Sequence, residues 1–374
     1  MPFHHIPLRS HQSRSGIRTQ RTTGHISQPG LHTARTLNGL KEVLAREMTA
    51  MRWWAHWGIQ CLLANIPGGG AVHRLMQEHA GQLKNLERGN QFENALTILE
   101  LASGKPESLK GQRVAEIGTG WVPAIPVALA LAGCEVHTFD VTALTKQDYL
   151  RRTLAAWEPR LADLAKAAQQ SVCEVTERWE ALSRSTSLQE LCQKTGGVCM
   201  APIDTTALPD ESGTYDLVVS NLVMQCVPDE LIVPVLRESA RLLKPAGWAI
   251  HRIRMTDEYA FSDSNRHHLH YLTYPKEIWS RWFNHRNKCQ NRWRASHFLK
   301  AFRDVGFLQR EVRRHLDTSG AAYFQQVALA PEFQSCDEVD LNTIGIDVVL
   351  QKPANTGDHE VSRSDSAEAV ASPM

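Results

Sequence analysis

After Arg113 the chain alternates short apolar runs with helical stretches, and no other feature limits its architecture so tightly. The runs are RVAEIG (113–118), EVHTFD (135–140), GVCMAPID (197–204), YDLVVSN (215–221) and WAIHRIRM (248–255). An Ala/Val/Leu-rich stretch separates the first two, and DELIVPVLRESARLLK (229–244) precedes the fifth. Parallel strands need a crossover and a helix supplies it, so this alternation predicts an α/β fold on a doubly wound, mostly parallel sheet. The stretch 144–194 exceeds the roughly ten to fifteen residues of a single crossover helix, which predicts one or two inserted helices there.

The segment VAEIGTGWVPAIPVALALAGCEVHTFDV (114–141) carries the clearest binding signal. In open α/β sheets ligands bind at the carboxyl ends of the strands, where the strand order reverses. Gly118 and Gly120 lack a Cβ and let the backbone approach a ligand closely. Asp140 follows at the tip of the next strand, a place from which a carboxylate accepts hydrogen bonds from ribose hydroxyls. A dinucleotide fingerprint would need a small residue where Pro123 stands. Glu116 would repel a pyrophosphate and tolerate a cationic ligand.

Composition removes some alternatives. The 374 residues hold 41 basic and 40 acidic side chains, so the overall balance favours neither nucleic acid nor an anionic membrane. No apolar run reaches the roughly 18 residues of a membrane-spanning helix. Eight cysteines without a C-x-x-C pair argue against a zinc site and a disulfide scaffold, and for reduced thiols in a cytoplasmic protein. Residues 1–41 have no Asp or Glu and few apolar positions, which reads as a disordered basic leader in preference to an organellar transit peptide. Residues 42–101 read as a helical lid, with MRWWAHWGIQCLLANI supplying an aromatic face that packing explains better than membrane contact. Residues 102–353 form the main domain, and 354–374 a disordered polar tail.

Taken in order, EIGTGW, HTFDV, APID and YDLVVSNLVMQCV resemble the motif set of class I S-adenosylmethionine-dependent methyltransferases, over roughly residues 100–255. The family's third loop glycine is Val122 here, and Cys226 stands where many relatives carry a histidine. The resemblance implies a Rossmann-like sheet of seven strands, with FLQREVRRHL and IGIDVVLQKP as a closing antiparallel hairpin. It implies that Glu116, Gly118, Gly120 and Trp121 line the methionine part of S-adenosyl-L-methionine, that Asp140 binds the ribose, and that Val141 lies against the adenine. Asp204 and Thr205 would meet the adenine amino group, and Ser220, Asn221 and Leu222 would floor the methyl.

The C-terminal half resembles a bacterial branch of the same superfamily through His251, Asp257, Asn291, Arg292 and Arg294. This implies His251 as a general base and Asn291, Arg292 and Arg294 as a clamp on the acceptor's carboxylate or phosphate. His267, His268 and His270 lack a paired carboxylate pattern, and no metal is expected. The expected reaction is methyl transfer to an oxygen or nitrogen of a small-molecule acceptor. The competing readings are a nicotinamide-dependent oxidoreductase, a non-catalytic cofactor binder of the same fold, and an RNA methyltransferase using the aromatic and basic run RWFNHRNKCQNRWR (281–294).

Overall fold

The computed structural model describes residues 53–80, 90–105, 108–285, 288–354 and 369–370. The expected leader, the start of the expected lid and most of the expected tail lie outside them.

All five strands of the alternation form: β1 (Arg113–Ile117), β2 (Glu135–Phe139), β3 (Cys199–Met200), β4 (Tyr215–Asn221) and β5 (Leu243–Arg254). The closing pair is β6 (Leu308–Leu316) and β7 (Thr343–Gln351), and a two-residue β8 (Ala369–Val370) adds an eighth strand at the edge. The order across the sheet is β3-β2-β1-β4-β5-β7-β6-β8. Strands β1 to β5 run parallel, and β7 is antiparallel to both β5 and β6. The order reverses between β1 and β4, so the loops after these two strands diverge and leave a crevice at their carboxyl ends.

Alternate residues of each strand feed two cores. Val114, Val136, Leu217, Val219 and Ile250 meet one set of helices, and Ala115, Val218, Ala249, Ile253 and Val348 meet another. The helix Ala124–Leu131 is buried at every position, because it lies between the sheet and an outer layer of helices. That outer layer comes largely from the β2–β3 connection, which holds four α-helices: Gln147–Trp157, Leu161–Ala167, Val172–Leu182 and Leu188–Lys194. The sequence predicted fewer, since their short apolar stripes merge into one period. On the opposite face, Asp229–Leu242 and Ala295–Val305 cover the sheet.

The helix Gln91–Ala102 buries Phe92, Ala95, Ile98 and Leu99 in the first core. The preceding helices, Trp53–Asn65 and Gly69–Ala80, sit elsewhere. Trp57 packs on Trp282 and Phe283, and His56 Nδ1 lies 2.7 Å from Ser262 Oγ, so the first of these helices covers the segment after β5.

Candidate functional site

Gly118 leaves β1 with φ +82°, and its amide donates to the carbonyl of Phe139 at 2.8 Å. A Cβ there would lie 2.4 Å from Cγ2 of Val223, so only a glycine lets the turn after β1 touch the turn after β4. Gly120 has φ +69°, and a Cβ at this position would meet nothing within 4 Å, which leaves open space beside the backbone. Asp140 holds this turn. Its Oδ2 accepts from the Gly120 amide and its Oδ1 from the Thr142 amide, both at 2.8 Å. Thr145 Oγ1 donates to the Gly120 carbonyl at 2.9 Å from the other side. Each carboxylate oxygen of Asp140 keeps a second acceptor site for a ligand hydroxyl.

Glu116 is buried one turn below. Its Oε2 accepts from Thr119 Oγ1 at 2.8 Å. Burial pushes its carboxyl up to about 8, the Thr119 hydrogen bond works against that shift, and the nearby Asp140 charge adds to it. A carboxyl held in this condition gains from a cation placed beside it.

The other residues expected at the cofactor site divide. Val141 is 64% exposed beyond the tip of β2, and Trp121 stands edge-on to Tyr149. Asn221 ends β4 with a buried Oδ1 that has no hydrogen-bond partner among the described residues. Leu222 follows with φ +55°, a left-handed conformation costly for a leucine, and its amide donates to the carbonyl of Arg252. Ser220 turns away: it is fully buried, and its Oγ lies 2.8 Å from His251 Nδ1. Asp204 lies four residues past the end of β3, where it is exposed and accepts from the amide and hydroxyl of Thr206. These bonds hold its carboxyl below the usual range. Thr205 beside it is buried.

Several expected catalytic and acceptor-binding residues are structural. His251 shares its strand face with Ala249 and Ile253, is fully buried, and stacks on Phe302. Burial lowers its pKa to about 4, so it is a neutral core side chain without access to an acceptor. Asn291 Nδ2 donates to the carbonyls of Met224 and Val227 and pins the turn after β4. Arg292 is paired with Glu332 and donates to the carbonyls of Tyr271 and Tyr274. Arg294 is fully buried; it donates to the carbonyls of Asp340, Leu341, Thr343 and Met255 and to Tyr271 Oη. Within the run 281–294, Phe283, Gln290, Asn291, Arg292 and Arg294 are buried. Among the described residues no cluster of His, Cys, Asp and Glu fits a metal ion.

The turn after β4 and the segment after β5 leave the sheet on the same side. Cys226 is exposed to solvent. Arg254 donates to Glu258 Oε1 at 2.6 Å, and its guanidinium lies over the ring of Phe261. Lys288 Nζ lies 3.5 Å from the ring centroid of Tyr259. Glu258 was hidden beside the more conspicuous Asp257, and Lys288 inside a run read as a nucleic-acid patch.

A methyltransferase-domain family model matches residues 162–251, which hold β3, β4 and most of β5. Over this stretch the chain is similar to a methyltransferase domain, and the strand order reverses beside the glycine turn. Similar solved structures include a magnesium protoporphyrin IX methyltransferase from Synechocystis PCC 6803 with bound S-adenosylhomocysteine (14% identity, TM-score 0.41, 79% of this chain and 99% of that one). Another is an S-adenosylmethionine-dependent methyltransferase from Mesorhizobium loti (17%, 0.39, 71% and 100%). A third is the 1,6-didemethyltoxoflavin-N1-methyltransferase of Burkholderia thailandensis (13%, 0.37, 71% and 80%). No curated protein matches the chain.

Two outcomes follow from these contacts. Gly118→Ala should cost about 1–3 kcal/mol through its positive φ and the Val223 clash, and adding Val223→Ala should recover part of that loss. Urea unfolding of the single and double variants measures both. Arg294→Met should cost about 3 kcal/mol or more, because several buried carbonyls lose their donor. A loss within 1 kcal/mol in the same assay would contradict the assignment.

Proposed function

We propose that this protein transfers the methyl group of S-adenosyl-L-methionine to an oxygen or nitrogen of a small-molecule acceptor. The observation that carries the reading is the bracketing of one open glycine turn by two acids, Glu116 below and Asp140 across, at the point where the strand order reverses. The cofactor supplies an already activated methyl, so the chain's task is alignment. In this reading Asp140 keeps its bonds to Gly120 and Thr142 and takes a ribose hydroxyl on its remaining acceptor sites. Glu116, Gly118, Gly120 and Trp121 hold the amino-acid end, and the free Oδ1 of Asn221 accepts from the same group. Val141, Asp204 and Thr205 border the adenine. The backbone of Ser220, Asn221 and Leu222 floors the methyl.

Pro123 weighs against a nicotinamide dinucleotide, whose fingerprint needs a small residue at that position. The burial of Arg292 and Arg294 supports a small molecule over RNA. All eight cysteines are unpaired, in keeping with a cytoplasmic setting, and no helix among the described residues is long and apolar enough to cross a membrane. We assign the transferase body to residues 91–353 and a covering role to the two helices before it.

Calorimetric titration with S-adenosylmethionine and S-adenosylhomocysteine tests the reading. Asp140→Ala should weaken both at least tenfold, about 1.4 kcal/mol. Undiminished affinity would remove Asp140 from the site. Glu116 adds a pH signature. Free, it is mostly protonated at neutral pH; beside a sulfonium and an ammonium it ionises. Binding should therefore tighten between about pH 6 and 8 and release about one proton per cofactor at pH 7. Binding enthalpies in buffers of different ionisation heat measure that release, and Glu116→Gln should abolish it.

A further inference from the structure

A cavity of about 270 Å³ lies at the opposite end of the sheet from the crevice, where the chain enters β1 and β2. The five residues of β1 separate the two places by about 17 Å at the usual strand rise, so a ligand in one does not touch a ligand in the other. Lys110 precedes β1, Gly133 leads into β2, and Lys194 ends the helix that precedes β3. Because β2 lies between β1 and β3 in the sheet, the two lysines reach the cavity from either side of Gly133. The helix Val172–Leu182 closes it with Arg178, Ala181 and Leu182.

Arg178 is fixed by one edge of its guanidinium and open at the other. Its Nη1 donates to the Leu131 carbonyl and to Gln170 Oε1, both at 2.7 Å, and Gln170 Nε2 donates to the Ala132 carbonyl. The carbonyls at the end of helix Ala124–Leu131, which would repel an anion, are thereby occupied. The Nε and Nη2 edge makes no hydrogen bond among the described residues. Gly133 keeps that edge uncovered: its φ is +83°, and a Cβ there would lie 3.2 Å from Nε and 3.4 Å from Nη2. Such an edge grips a carboxylate or phosphate through two parallel bonds. The charges around it do not cancel. Lys110 Nζ and Arg178 Nη2 lie 2.9 and 3.8 Å from the same Glu174 Oε1, and Lys194 pairs with Glu190 at 3.0 Å. Three cations thus share two carboxylates, and the cations line the cavity whereas the glutamates do not.

We propose that this cavity binds a small organic anion, one oxyanion group on a body of a single ring, with its oxygens on the open edge of Arg178 and its body against Ala130, Ala181 and Leu182. One surplus charge matches one anionic group, and Lys110 and Lys194 add their field from either side. The volume falls just under the roughly 300 Å³ at which small-molecule sites begin, which limits the body to about one ring.

Fluorine NMR line broadening of 4-fluorobenzoate, 4-fluorophenyl phosphate and 4-fluorobenzamide on the full chain tests the site. At least one of the two anions should bind and the amide should not, and the tighter anion tells a carboxylate ligand from a phosphate. Arg178→Met should weaken the bound anion about tenfold or more. Ala181→Phe fills the cavity from an exposed position without touching its charges, and it should abolish binding while the far-UV circular dichroism stays unchanged. That variant keeps the test decisive if losing the Leu131 contact unfolds Arg178→Met. S-adenosylhomocysteine should not displace the anion. Binding of neither anion, equal binding of anion and amide, undiminished binding in Ala181→Phe, or displacement by S-adenosylhomocysteine would overturn the proposal.

Discussion

The carboxylate of Asp140, bonded at 2.8 Å to the amides of Gly120 and Thr142, fixes the geometry on which the crevice depends. It joins the turn after β1 to the tip of β2, and the contact of Gly118 with Val223 joins the same turn to the loop after β4. Three strand ends are thereby locked together at the place where the sheet diverges. The open side of Gly120 then faces space that no described side chain enters within 4 Å of a Cβ placed there.

A second constraint lies in the C-terminal half. Arg294 gathers carbonyls from the approach to β7 and from the end of β5, and Arg266 neutralises Asp257 within the same region. Guanidinium groups serve here as interior cross-links, since one planar fork satisfies several carbonyls that would otherwise be stranded.

The parallel core was legible in the sequence because strands buried on both faces read as continuous apolar runs, and RVAEI, EVHTF and YDLVVSN fall where such runs were read. The glycine turn was legible for a similar reason: Gly118 and Gly120 stand where L residues would be strained or clash. The third strand was less so, since only Cys199–Met200 pair and the loop carries on to Asp204 without them. Arginine and histidine roles were misread, because residue type does not tell whether a side chain points out or in. His251 follows the inward parity of β5, and Asn291, Arg292 and Arg294 satisfy carbonyls that the sequence cannot bring together in advance. Lys288 and Glu258 escaped notice because their meaning depends on which neighbouring charges are already paired.

A crystal structure of the protein with S-adenosylhomocysteine would test the central claim most directly. The account predicts the ligand in the crevice between Gly118 and Asp140, its ribose hydroxyls on the Asp140 carboxylate and its amino group near Glu116 and Asn221. Density for the ligand elsewhere, or a ribose with no contact to Asp140, would contradict it.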